Sequence, residues 1–317
     1  VFFLQQQSQD RSNMITSLRQ MAEVVRSSGS RQKIAVAWAQ DPNTVGSLYR
    51  AVSEGFAEAI MIGNRDRIIS TCRETGADPE VFTIIDSADE KSAAEMAVSL
   101  TRSGEADIVM KGLVGTDKFL RAVMDKEKGL LPPKAVMSYV CAVEIPAYHK
   151  LLFITDTAVI PFPDLDQKVA MARYAIDMAQ RFGIEKPSVA LIGASEKVSS
   201  HFPNTLDYSV MCKMAERGQI AGCIMDGPFD LFLACDPESV KIKGVDTPLA
   251  GNADILLFPS LEACNPFYKG LMLFGGGQLA GMICGTTRPV VMMSRSESEL
   301  SKYYCVALSC LMAMEKH

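Results

Sequence analysis

Between residues 34 and 124 the chain repeats one pattern, a short apolar run followed by a longer stretch with helical spacing. The runs are 34–38, 59–62, 82–85 and 108–110; the helical stretches are 43–55, 66–75, 88–102 and 116–124, and another at 17–28 precedes them. Strand-length runs alternating with helices of about ten residues or more specify βαβ units and a mostly parallel sheet. Such a sheet keeps its chemistry at the carboxyl ends of its strands. Polar residues that directly follow an apolar run therefore carry the most functional weight.

The pattern breaks near Gly129, where Pro132 and Pro133 cannot continue a helix. Two β-rich runs, 135–145 and 150–160, follow around a turn at 146–149. Alternation then resumes with helix 165–182, strand 189–192, helix 206–216, strand 221–225, a helix near 230–240 and strand 254–258. The last helix, 297–314, is amphipathic and long enough to pack back on the first domain. A chain of 317 residues also exceeds one core of the usual size, at ~150 residues per domain. The expected organisation is a discontinuous first domain, 1–133 with 286–317, and an inserted second domain, 134–285.

With 48% hydrophobic and 22% charged residues the chain has ample apolar surface to bury. Its net charge of −5 argues against a general nucleic-acid binder and leaves room for a local basic pocket. Small anions are the expected partners, with no nucleic acid and no membrane. The nine cysteines are odd in number and show no CxxC spacing, which reads as reduced thiols in a cytoplasmic protein. The weakly polar stretch 270–285 is broken by Gly275–Gln278 and is shorter than the ~20 apolar residues of a spanning helix. Residues 1–16 lack a basic start and a cleavage site, so an upstream extension is expected rather than a signal peptide.

Four polar sets fall at strand ends. Lys111, Gly112, Thr116 and Arg121 combine a lysine, a small-residue turn and a helix start, the ingredients of an anion site; the plain alternative is a capped helix with solvated charges. Ser138 lies in a β-rich run, with Thr155 and Asp156 ending the next; half-buried strand positions and a turn cap would explain them equally. Asp226, Gly227, Pro228 and Asp230 are turn formers that need no function. Asn265 and Lys269, with Ser294 and Arg295 after the run 289–293, are suited to holding a phosphoryl or acyl oxygen as charge develops. An Arg295–Glu297 surface pair is the alternative there.

Other chemistries lack their residues. The three histidines are not at metal-ligand spacing to one another or to a cysteine, and neither a GxSxG elbow nor a GxxxxGK[ST] loop is present. Gly275–Gly277 follow a helix pattern, so they read as a helix end and loop rather than a dinucleotide fingerprint.

The segments MKGLVGTDKFLRAV (110–123), YHKLLFITDTAVIPFPDLDQK (148–168), the DGP turn, and ADILLFPSLEACNPFYK through MMSRSESEL carry a resemblance. By their order and spacing the chain resembles the phosphate acetyl/butyryl transferase family, most closely its butyryl branch, from about Lys33 onward. The resemblance implies two α/β/α domains with a cleft between them, the fold of isocitrate and isopropylmalate dehydrogenases, as a homodimer or higher homo-oligomer. It implies interconversion of a short-chain acyl-CoA plus phosphate with an acyl phosphate plus CoA. No tightly bound cofactor or metal is implied, and CoA is a substrate. Ser294 matches a serine interacting with the reacting thiol or carbonyl, and Arg295 an arginine on phosphate. Lys111, Thr116, Arg121, Ser138, Asn265 and Lys269 match substrate-binding positions.

Three departures stand out. Where the acetyl branch has an aspartate proposed as base, seven residues after the serine, this chain has Ser301; Glu297 is carried as the substitute. The butyryl branch's GLRTG-like turn is GLLPP at 129–133, and its Ser-His pair is Ser138 and Tyr139. The alternatives are a phosphate acetyltransferase, a dehydrogenase on the same fold, and a non-catalytic acyl-CoA or acyl-phosphate binding protein.

Overall fold

The computed structural model describes residues 14–294 and 297–314. They form two compact α/β units: Arg19–Met137 with the C-terminal segment from Leu279, and Ser138–Gln278 with the segment ending at Leu18.

In the discontinuous unit the strands are β1 (Gln32–Ala37), β2 (Ala57–Gly63), β3 (Thr83–Asp86), β4 (Ile108–Lys111), β10 (Gln278–Cys284) and β11 (Val290–Val291). Their order is β3-β2-β1-β4-β11-β10, with β1 to β4 and β11 parallel and β10 antiparallel to β11. Consecutive residues Ile34–Ala37 and Ile108–Met110 are fully buried, so helices cover both faces of the sheet. The helix Glu299–Ala313 packs on Pro42–Ser53, which returns the C-terminus to this unit. The sequence boundary put residues 279–285 in the insert. They pair instead with the returning chain through Ile283 and Val290, because a tight turn at 285–289 folds β10 and β11 into a hairpin.

The insert contains β5 (Ser138–Glu144), β6 (Leu152–Thr155), β7 (Ser188–Ile192), β8 (Ile224–Phe229) and β9 (Ile255–Leu257), ordered β5-β6-β9-β7-β8. β5 is antiparallel to β6 and the other neighbours are parallel. Two sequence expectations change here. The DGP segment lies within β8 rather than after it. Gly227 has φ +150°, and a Cβ there would stand 2.7 Å from Leu191 O, so only glycine lets β8 continue against β7. The helix expected near 230–240 is two, Leu231–Cys235 and Pro237–Lys243. Pro237 cannot extend the first, and Asp236 caps the second through the amides of Glu238 and Ser239.

Candidate functional site

β4 and β11 run side by side in parallel, with Val291 opposite Met110, so both release their chains at the same edge of the sheet. Lys111 ends β4, and Ser294 follows β11 by three residues and is exposed. Lys111 is only 4% exposed, and its ammonium donates to Gly112 O at 3.3 Å. The turn after it is tight: Gly112 N donates to Ala37 O and Leu113 N to Trp38 O, each at 2.9 Å. A Cβ on Gly112 would stand 2.6 Å from Trp38 O, so the residue has to be glycine. Glu297 is half-buried, and its amide donates to Ser294 O at 3.3 Å. Arg295 lies outside the described residues.

Thr116 opens the helix Thr116–Val123 and is exposed. The N-terminus of that helix already holds a protein carboxylate. Glu90 Oε2 accepts from Gly115 N at 3.0 Å and pairs with Lys118 at 3.4 Å. One amide at this helix start, that of Gly115, is thus already engaged by Glu90. Arg121, exposed on the same helix, instead lines a groove of about 1270 Å³ against the helix Glu90–Ser103. Lys91, Arg102, Lys118, Lys126 and Lys128 join it, against the carboxylates of Glu95, Asp125 and Glu127. Cations outnumber carboxylates two to one, which gives the groove a positive field.

In the insert, Ser138, Thr155 and Asp156 come together at the end of β6, where the Thr155–Asp156 peptide is cis. Asp156 Oδ2 accepts from Ser138 Oγ at 3.0 Å, Tyr139 N at 3.1 Å and Ile160 N at 3.3 Å. Its Oδ1 accepts from Ala158 N at 2.7 Å and Val159 N at 2.8 Å. Burial pushes this carboxyl above the usual range, while the amides and the Ser138 hydroxyl pull against that. Ser138 is fully buried and its hydroxyl is engaged with Asp156 and Thr155. Ser138, expected from the sequence to bind substrate, holds this turn. The turn in turn places Asn265, whose side-chain amide donates to Thr157 O at 2.8 Å. Asn265 and Lys269 share the helix Leu261–Phe274, which Ser260 caps; Lys269 is exposed one turn further on.

The discontinuous unit therefore has Ser294 following one strand and a buried lysine ending its parallel neighbour, and a cationic groove. The insert presents an amide and a lysine on a helix braced by a buried carboxylate. No cluster that could hold a metal ion occurs among the described residues. Nor is any helix among them long and apolar enough to cross a membrane. A family model described as phosphate acetyl/butaryl transferase matches residues 90–310, which span every candidate above. The chain belongs to the phosphate acetyl/butaryl transferase family. It is 40% identical to the phosphate butyryltransferase of Clostridium acetobutylicum over 96% of this chain and 100% of that one. It is 37% identical to the phosphate acetyltransferase of Thermotoga maritima over 93% and 99%. Among solved structures, a branched-chain phosphotransacylase from Enterococcus faecalis superposes with a TM-score of 0.79 at 28% identity, covering 90% of this chain and 100% of that one.

This member of the phosphate acetyl/butaryl transferase family also holds residues that the sequence reading passed over. Lys302, 3% exposed, donates to Asp41 Oδ1 at 2.8 Å and Thr44 Oγ1 at 3.0 Å. Asn43 donates to Glu297 O at 3.1 Å. These three bonds tie the chain that follows Ser294 to the start of the helix Pro42–Ser53. The Asp41-Pro42 pair is an N-cap signal visible in the sequence, but its partner 261 residues away is not. Burial pushes the Asp41 carboxyl up, and the bond and charge of Lys302, with Thr44, outweigh that and hold it below the usual range. A carboxyl lowered in the folded state binds protons more weakly than in the unfolded chain. Its stabilisation is present above the unfolded value of about 3.9 and is lost as pH falls through the folded one. Asp41→Asn, which leaves Lys302 buried without its counter-charge, is expected to lower stability at pH 7 by about 3 kcal/mol. The deficit against wild type should narrow as urea titrations are taken below pH 4; a constant deficit would contradict the pairing.

Proposed function

We propose that the protein transfers a short acyl group, butyryl first among them, between CoA and inorganic phosphate. A phosphate oxygen attacks the thioester carbonyl carbon, the C–S bond breaks, and the CoA thiolate leaves with a proton; the reverse reaction runs from acyl phosphate. The observation that carries the reading is the parallel pairing of β11, three residues before Ser294, with β4, which ends at Lys111, within a chain matching the family over its whole site region. Both partners are activated acyl compounds, so positioning and charge stabilisation suffice, with a base for the thiol proton and no tightly bound cofactor. In this scheme Ser294 donates to the carbonyl oxygen or the departing sulfur and Arg295 holds phosphate. Glu297 is the nearby carboxylate for the thiol, whose free pKa of about 8.5 leaves a modest barrier to ionisation. Arg121 and the cationic groove take the phosphates of the CoA nucleotide, Lys111 and Thr116 serve the phosphoryl end, and Asn265 and Lys269 contact substrate from the insert. Ser138 acts through Asp156. We place the enzyme in the cytoplasm, in butyrate fermentation, as a homodimer or higher homo-oligomer.

Phosphate-dependent release of free thiol from butyryl-CoA is the expected result in a thiol-reagent assay. No release with any two- to five-carbon acyl-CoA would remove the reading. Ser301, in place of the aspartate of the acetyl branch, favours one second reading, an acyl-CoA or acyl-phosphate sensor, which tight binding without turnover would select.

A further inference from the structure

The insert contains a pocket of about 340 Å³ that none of the residues discussed above lines. It opens where neighbouring strands β7 and β9 end, and the two chains leave in opposite directions. After β7 the chain enters the helix Pro203–Glu216, which packs along β8. After β9 it enters the helix Leu261–Phe274, tied to the loop after β6 by Leu261 N to Pro161 O at 3.0 Å and by Asn265 to Thr157 O. Diverging exits from adjacent parallel strands open a crevice at their carboxyl ends, the place where doubly wound sheets bind ligands.

The walls are apolar, from Ile192, Phe202, Tyr208, Phe258, Pro259 and Ala263. Two of its hydroxyls are turned to the protein, Tyr208 donating to Ile192 O at 2.9 Å and Thr205 to Phe202 O at 2.8 Å, and Ser195 and Asn204 add a small polar margin. A water takes about 30 Å³ of liquid and a methylene is of similar size, so the pocket has room for a chain of several carbons, branched or straight. Of the groups in the proposed reaction, phosphate is an anion and the CoA arm is rich in phosphates and amides. The acyl chain alone matches such walls. Phe258, one of its walls, donates its backbone amide to Thr155 O at 3.0 Å, which sets the pocket beside the turn that places Asn265. We infer that this pocket receives the acyl chain and that Ala263 and Phe202 set the chain-length preference, an inference that rests on the transferase reading.

The test is kcat/KM for phosphate-dependent thiol release with acetyl-CoA and butyryl-CoA. Wild type should favour butyryl-CoA by about tenfold or more, from two further buried methylenes. Ala263→Leu, which fills the pocket, should lower the butyryl value about tenfold and leave the acetyl value within about twofold. The acetyl rate also reports that the variant is folded. Phe202→Ala, at a half-exposed wall whose loss does not threaten folding, should reduce the butyryl-to-acetyl ratio about threefold. An unchanged ratio in both variants overturns the pocket while leaving the transferase reading intact. Absence of phosphate-dependent turnover in wild type overturns the reading and the pocket with it.

Discussion

Arg295→Ala is expected to raise the phosphate concentration for half-saturation by about 30- to 150-fold. A guanidinium holds phosphate through paired charge-assisted bonds, and losing them costs about 2–3 kcal/mol, where each 1.36 kcal/mol is tenfold. In the sequence Arg295 directly follows Ser294, after the apolar run 289–293. Lysine should restore only part of the effect, because an ammonium is a point charge without the planar fork. The measurement is the phosphate KM at saturating butyryl-CoA. A variant with unchanged phosphate dependence would take Arg295 out of the mechanism.

The largest effect on stability is expected at Asp156. Asp156→Ala would strip the acceptor from the amides of Tyr139, Ala158, Val159 and Ile160 and from the Ser138 hydroxyl, in a carboxylate that is 2% exposed. Buried donors left unsatisfied cost about 1–3 kcal/mol each and are not additive, so a total loss of about 3–5 kcal/mol is expected in urea unfolding at pH 7. Asp156→Asn keeps one oxygen as an acceptor and should lose less. Because the turn presents Thr157 O to Asn265, Asp156→Ala should also impair substrate binding in the protein that remains folded. A loss below about 1 kcal/mol would mean that the turn holds itself without the carboxylate.

The sheet was legible because its cause is local. Runs such as Ile34–Ala37 are apolar throughout, and only a strand covered on both faces buries every side chain of such a run. The break at Pro237 and the start at Asp41-Pro42 also have local causes, proline and capping chemistry within a few residues, although one helix was expected near 230–240. What escaped the sequence is tertiary. A strand can run through Asp226-Gly227-Pro228 because β7 leaves no room for a Cβ at Gly227, and turn formers give no sign of that. Glu90 reaches the amide of Gly115 from 25 residues away, a partner that sequence spacing does not show. The bond from Ser138 to Asp156 crosses from β5 to the end of β6, 18 residues on, which spacing alone does not show. Ser294 and Lys111 were legible as polar groups following apolar runs, but the pairing of β11 with β4 through a returning chain was not.

The most direct test of the account is the stoichiometry of the reaction itself. Butyryl-CoA and phosphate are incubated with the protein, free thiol is counted with a thiol reagent, and butyryl phosphate is trapped as its hydroxamate. The account predicts one acyl phosphate for each thiol released, and no thiol without phosphate. Thiol release that continues without phosphate and yields butyrate alone would mark a thioesterase and contradict it.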